Sequence, residues 1–333
     1  MTDLRVAVVG VGHLGRHHAR VLKSLAGVNL VGVVDLSRPR AEEVGREFGV
    51  PAFTDHREIL GRVDAVTVAV PTAQHLGVAR DFLERAVPTL VEKPLARTIG
   101  EAEELVGLAR RNKVALQVGH VERFNPAVRA IEGKIKKPRF IEAHRLSPFK
   151  FRSTDIDVVM DLMIHDLDLI LHFADSPLKR IDAVGVSLLF GVEDLANARL
   201  EFENGCVANL TASRISDKSM RKIRLFTEDQ YASIDTLEKS VRLYRTTRDL
   251  AKALAALPPD REPSLADLAA IPREFYSIED ISLPDEEPLG NELKSFVECA
   301  RSGGEPAVPG EDGVRAMRAA EEVVREMRSH KWM

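Results

Sequence analysis

Residues Leu4–Gly15 read LRVAVVGVGHLG, and this stretch decides the fold. Leu4–Val9 is a short valine-rich apolar run, the pattern of a strand buried on both faces. It passes directly into Gly10-Val11-Gly12-His13-Leu14-Gly15, after which Leu14–Leu25 has helical spacing. Strand, G-x-G-x-x-G and helix in that order form a dinucleotide-binding fingerprint. One glycine makes the tight turn, the next lets the main chain approach a pyrophosphate, and the third lets helix and strand pack closely. The pyrophosphate would rest on the free N–H groups at the helix start. Asp35 closes the second strand twenty residues past Gly15. A carboxylate there accepts hydrogen bonds from ribose hydroxyls and repels a 2′-phosphate, so NAD is expected rather than NADP, with Arg38 near enough to soften the preference. The fingerprint residues and Asp35 form the expected cofactor set, together with His13 and Leu14 inside the loop.

Outward from that stretch, strands and helices alternate. Asn29–Val34, Ala65–Val70, Thr89–Glu92 and Val114–Val118 read as strands; Pro39–Phe48, Ala73–Arg85 and Ile99–Asn112 read as helices. This predicts a doubly wound parallel sheet of the Rossmann type over residues 1–120. Over 121–333 the texture changes. Helices are expected at Pro126–Ile135 and Asp157–Phe173, and strands at Arg139–Arg145, Arg180–Leu189, Asn197–Phe202, Val207–Ser213, Lys222–Thr227 and Val241–Arg245. Strands in succession predict an α+β domain with a mostly antiparallel open sheet, and Glu203-Asn204-Gly205 marks a hairpin. Asp249–Pro272 is rich in Ala, Pro and Asp and reads as an insertion. Helices near Asn291–Arg301 and Asp312–Ser329 close the chain and are free to pack back on the first domain.

Composition narrows the function. A net charge of -4 in 333 residues gives no general attraction to nucleic acid or anionic lipid. The basic run Lys134–Lys137 is short and reads as a solvated turn. Two cysteines, Cys206 and Cys299, are too few for a disulfide framework and read as small buried hydrophobes of a protein in a reducing compartment. No apolar run reaches the length of a membrane span, so a cytoplasmic protein is expected.

Ligands of open α/β sheets bind beyond the carboxyl ends of the strands. Pro71-Thr72 and Glu92-Lys93-Pro94 both sit there, and both are expected to border the nicotinamide half of the cofactor. His75 is either a capping or surface histidine or a further cofactor contact. Lys93 is placed to hydrogen-bond a substrate oxygen, steady an alkoxide or relay a proton, or else to pair with Glu92 or another carboxylate. Asp157–His172 reads DVVMDLMIHDLDLILH. At about 100° per residue, Asp157, Asp161, His165, Asp168 and His172 fall on one stripe roughly 80° wide of an otherwise apolar helix. Such a stripe fits three readings: a catalytic His165 oriented by Asp161, a metal site lacking further convincing ligands, or a satisfied structural network.

The order of G-x-G-x-x-G with His18-Ala19, Asp35, Pro71 with His75, Glu92-Lys93-Pro94, Arg123-Phe124-Asn125-Pro126 and Asp161-x-x-x-His165 resembles the Gfo/Idh/MocA oxidoreductase family. The resemblance covers nearly the whole chain. It implies an NAD-dependent dehydrogenase acting on a secondary hydroxyl, with Lys93, Asp161 and His165 as the catalytic group and no metal. Lys93, Asn125, Asp161 and His165 would then contact the substrate, Arg123 would border the cofactor, and Lys93 or His165 would take the proton. It also implies a homodimer or homotetramer formed through the open sheet. Many relatives carry glycines before and after the motif aspartate, where this chain has Ile156–Met160 and Met163, so a narrower approach is expected. Within the family, GHVERFNP and DLMIHDLDL look most like the UDP-N-acetylglucosamine 3-dehydrogenases. Arg145, Lys150 and Arg152 are either partners for a UDP group or surface charges. The alternatives are oxidation of another polyol, an inositol or a UDP-sugar acid, and a non-catalytic NAD sensor.

Overall fold

The computed structural model describes residues 2–149, 156–189, 191–247 and 275–330. The expected insertion at Asp249–Pro272, and with it Lys150 and Arg152, lies outside these residues. The chain divides into two compact units, Met1–Phe124 with Glu286–Glu321, and Asn125–Asp285 with Glu322–Met333.

The first unit contains β1 (Leu4–Val9), α1 (His13–Ser24), β2 (Val28–Val34), α2 (Arg38–Phe48), β3 (Ala52–Phe53), β4 (Ala65–Val68), α3 (His75–Leu83), β5 (Thr89–Glu92), α4 (Ile99–Asn112) and β6 (Leu116–Gly119). The six strands form one parallel sheet in the order β3-β2-β1-β4-β5-β6. Chain order reverses between β1 and β4, which opens a crevice beyond their carboxyl ends. All four residues of β4, β5 and β6 are buried, the reason these strands read as continuous apolar runs. The expected helix Ala73–Arg85 is a 3-10 turn at Thr72–Gln74 followed by α3.

The second unit begins with α5 (Pro126–Arg129), β7 (Phe140–Leu146), α6 (Ile164–Ala174), β8 (Leu178–Val186), β9 (Leu195–Phe202), β10 (Val207–Ser213), β11 (Met220–Phe226), β12 (Gln230–Asp235), β13 (Ser240–Thr246) and β14 (Tyr276–Ile281). These strands make an eight-stranded sheet in the order β14-β13-β12-β11-β7-β10-β9-β8, antiparallel except for the β7–β10 pair. Strands β12 and β14 were not anticipated, since QYASID and YSIEDI lack an apolar run. The helix expected over Pro126–Ile135 stops after one turn. Beyond it, Ile131 N–H bonds the Val128 carbonyl and the chain turns at Gly133, whose φ is +74°.

Two helices follow β14: α7 (Pro288–Ser302) and α8 (Gly310–Ser329). Leu293, Phe296 and Val297 of α7 enter the same core as Val21 and Leu22 of α1 and Val6 and Val8 of β1. Helix α7 therefore belongs to the first unit although it follows the whole of the second sheet. Among the described residues no helix is long and apolar enough to cross a membrane.

Candidate active site

The glycine loop has the geometry its spacing requires. Gly10 has φ +86°, and a Cβ there would lie 2.6 Å from the Val70 nitrogen. A Cβ on Gly15 would collide with the Gly10 carbonyl, whereas one on Gly12 would meet nothing within 4 Å. Two glycines thus serve packing and the third faces open space, as a loop that admits a pyrophosphate must. Gly12 caps α1 without a side-chain hydrogen bond, and the first turn holds no acidic residue. Its N–H groups are accordingly suited to an anion. His13 and Leu14 are both exposed beside them.

A cavity of about 500 Å³ opens here, lined among others by Gly10, Gly12, Asp35, Ser37, Pro71 and Gln74. That is the size and position of a nucleotide site. Asp35 is fixed at its edge: Oδ2 accepts from Val11 N–H at 3.0 Å and Oδ1 from Ser37 N–H at 2.9 Å. The cation beside it is Arg40, with Nη1 3.4 Å from each carboxylate oxygen. Arg38, expected in that role, is exposed and faces Glu42 at 3.8 Å. The helix begins at Arg38, so its side chain points along the α2 surface while Arg40 turns back to the end of β2.

Beyond β4 and β5 the expected turns are in place; His75 and Glu92 face inward, while Thr72 and Lys93 are half-buried. His75 is 1% exposed. Its Nε2 lies 2.9 Å from the Val70 carbonyl, and its Nδ1 lies 3.0 Å from that of Pro94 and 3.3 Å from that of Leu95. Burial lowers its pKa against the pull of those carbonyls, so the ring is neutral near pH 7 and donates to one side only. His75 sits beneath both turns, against main-chain carbonyls of each. Glu92, expected at the cofactor, directs its carboxylate into the core: Oε1 meets His18 Nε2 at 3.0 Å, and Oε2 accepts from Lys93 N–H at 3.2 Å. Lys93 itself is half-buried and precedes a cis peptide to Pro94. Arg123, expected beside the cofactor, makes a buried ion pair with Asp312 at 2.6 Å.

In the second unit the polar stripe is broken up. Val159–Met163 forms a π-helical turn before α6, and the wider turn shifts the phase of the wheel. Asp157 Oδ1 accepts from Met160 N–H at 2.9 Å, which makes it a helix-start cap. Asp161 and His165 are half-buried, Asp168 is 2% exposed, and His172 pairs with Glu132 at 3.4 Å. Of the five stripe residues only Asp168 is buried; Asp157, Asp161, His165 and His172 stay partly open to solvent. Arg145, a candidate for a UDP group, is instead spent on Asp166, with Nε and Nη2 each 2.9 Å from a carboxylate oxygen. Asn125 caps α5 by accepting from Ala127 N–H at 3.0 Å and donates to the Thr236 carbonyl at 3.2 Å, deep in the unit.

Buried acids that escaped the sequence reading include Glu122, Asp166, Asp194 and Glu292. Glu292 had a signal: it lies among Leu289, Leu293, Phe296 and Val297, on the apolar face of α7.

Comparison with known proteins agrees with this geometry. Residues 4–120 match the GFO_IDH_MocA family, described as an oxidoreductase family with an NAD-binding Rossmann fold, and residues 127–232 match its C-terminal domain. The chain is 41% identical over 245 residues to a UDP-N-acetylglucosamine 3-dehydrogenase of Acidithiobacillus ferrooxidans, covering 73% of this chain and 78% of that enzyme. It is 28% identical over 325 residues to the scyllo-inositol 2-dehydrogenase (NAD(+)) of Bacillus subtilis, covering 92% and 89%. A solved structure of UDP-N-acetylglucosamine 3-dehydrogenase GnnA from A. ferrooxidans superposes with a TM-score of 0.86 at 34% identity over 99% of both chains. The scyllo-inositol dehydrogenase of Lactobacillus casei shares the fold, with a TM-score of 0.77 at 18% identity over 98% of both chains.

Proposed function

The chain belongs to the Gfo/Idh/MocA oxidoreductase family, and from that premise we propose that it oxidises the 3-hydroxyl of UDP-N-acetylglucosamine to a ketone with NAD. The observation that carries the substrate is the 41% identity over 78% of an enzyme of that name. Residues 1–120 would hold NAD and residues 121–333 the sugar nucleotide, the latter also forming a homodimer or homotetramer.

The first unit is an NAD-binding Rossmann domain, and its loop and Asp35 fit the cofactor. Gly10, Gly12 and Gly15 would cradle the pyrophosphate and Asp35 would take the ribose hydroxyls. Bound NAD supplies a nicotinamide that accepts the carbinol hydrogen with its electron pair. In this reading His165 takes the hydroxyl proton onto its imidazole, and Asp161 steadies the resulting cation. The Lys93 ammonium hydrogen-bonds the same oxygen while it carries negative charge. The C–H and O–H bonds break, the C=O bond forms, and the imidazolium later passes its proton to solvent.

The experiment is reduced-nicotinamide formation by purified protein with NAD and UDP-N-acetylglucosamine, beside free sugars, inositols and UDP-sugars. Turnover with the UDP-amino sugar, lost by at least about a hundredfold in both Lys93→Ala and His165→Ala while NAD still binds, is expected. Preference for an inositol would favour the second reading, for which the 92% coverage by the B. subtilis relative speaks. NAD binding without turnover across the panel would leave a sensor.

A further inference from the structure

Beneath the turn that carries Lys93, three ionisable side chains meet in the core of the first unit. His18 of α1 and Glu292 of α7 are 0% exposed and Glu92 at the end of β5 is 7% exposed. One nitrogen or oxygen from each lies within 4.8 Å of the others. Glu92 bonds His18 and the Lys93 N–H, but both Glu292 oxygens lie beyond hydrogen-bond reach of every described donor. Gly119, which pairs with Glu92 in the β5–β6 register, makes room for the cluster; a Cβ there would press on the Glu92 carboxyl atoms at 2.9 Å.

Two ionised carboxylates in a sealed apolar core cost several kcal/mol each unless compensated. Glu92 meets the His18 ring and the Lys93 N–H, whereas Glu292 meets no described donor. The second acid must then be neutral or meet another cation. Burial first, and the Glu92 charge second, push the Glu292 carboxyl well above the usual carboxylate range. Other polar groups around the cluster include His75, which feels the Glu92 charge, and Gln117, whose amide lies 3.5 Å from the Glu292 main-chain carbonyl. They also include the buried His120 and Glu122 of the stretch that follows β6 and packs on α7.

We propose that Glu292 is a positioning residue, a neutral acid that braces the Glu92 carboxylate and through it the main-chain N–H of Lys93. The two carboxyls approach within 4.8 Å, a span that one water bridges. The catalytic consequence rests on the proposed role of Lys93; the charge state of the cluster does not.

The full-length protein is compared with Glu292→Gln and Glu292→Ala. A carboxyl with a raised folded-state pKa stabilises fully below its unfolded value, and that contribution is lost as pH rises through the folded value. Glutamine has no such loss, so the Tm of Glu292→Gln relative to wild type rises between about pH 5 and pH 9, by roughly 2–4 °C. The Lys93 amide resonance moves in Glu292→Ala and returns in Glu292→Gln. Turnover falls about tenfold or more in Glu292→Ala, with KM for NAD little changed, and is restored to within about threefold by Glu292→Gln. A Tm difference that is flat with pH contradicts the neutral acid. So does about one equivalent of divalent metal in wild type, lost in Glu292→Gln together with stability, which would make the cluster a cation site. An unmoved Lys93 amide in Glu292→Ala overturns the bracing. Because that resonance and the melting series need no substrate, a wild type without turnover sinks the proposed function and still decides this inference.

Discussion

Two carboxylates, one in each unit, are equally hidden from solvent, and they are driven in opposite directions. Asp194 and Glu292 are both 0% exposed. Burial alone would raise the Asp194 pKa, but the N–H groups of Leu189 at 2.7 Å and Leu188 at 2.8 Å, with Arg214 Nε at 2.8 Å, more than offset it. At Glu292 burial raises the pKa, the Glu92 charge raises it further, and no described donor offsets them. Exclusion from solvent does not by itself set the charge of an acid; the donors around it weigh against burial. The second unit sets Asp166 and Asp194 against arginines, and the first leaves Glu292 without a described donor.

The largest test of that contrast is Asp194→Ala. It strands two main-chain N–H groups and the Arg214 guanidinium, and should cost about 3–5 kcal/mol in denaturant unfolding of the full chain. A loss below about 1 kcal/mol would show that those donors had other acceptors. Next comes the Arg145–Asp166 pair. Asp166→Leu alone should cost about 3 kcal/mol, whereas Arg145→Met with Asp166→Leu should cost less than half of that. Equal losses would mean that packing, not charge compensation, holds the pair. A smaller effect concerns acid. Asp194, with its depressed pKa, contributes stability above its unfolded value near pH 3.8 that is lost as pH falls through the folded value. Asp194→Asn should therefore show a shallower decline of Tm below about pH 4, the reverse limb from that of Glu292. The smallest effect is expected at His172 and Glu132, both more than a third exposed. Glu132→Gln should change stability by less than about 0.5 kcal/mol, since a solvated pair contributes little.

The first unit was largely legible in the sequence because its rules are local. Strands β1 and β5 and helix α4 have the boundaries that the sequence pattern predicts. Gly10 and Gly15 sit where only glycine fits. What stayed hidden is what depends on distant partners. Arg145 reads as a free cation until β7 sets it against Asp166 of α6, and Glu92 reads as a cofactor contact until His18 claims it. The stripe on Asp157–His172 failed for a different reason. A wheel assumes one helical period, and the π turn at Val159–Met163 breaks it, leaving Asp157 as a cap and Asp168 in the core. Strands β12 and β14 lack apolar runs and gain their place only from the ladder beside them.

The central claim is that this chain moves hydrogen from C3 of a UDP-amino sugar to NAD. The most direct measurement supplies UDP-N-acetylglucosamine deuterated at C3 and follows the isotope by mass spectrometry of the reduced cofactor. The account predicts one deuterium in the nicotinamide and a 3-keto sugar nucleotide as product. Reduced cofactor without deuterium would place the oxidation at another carbon and contradict it.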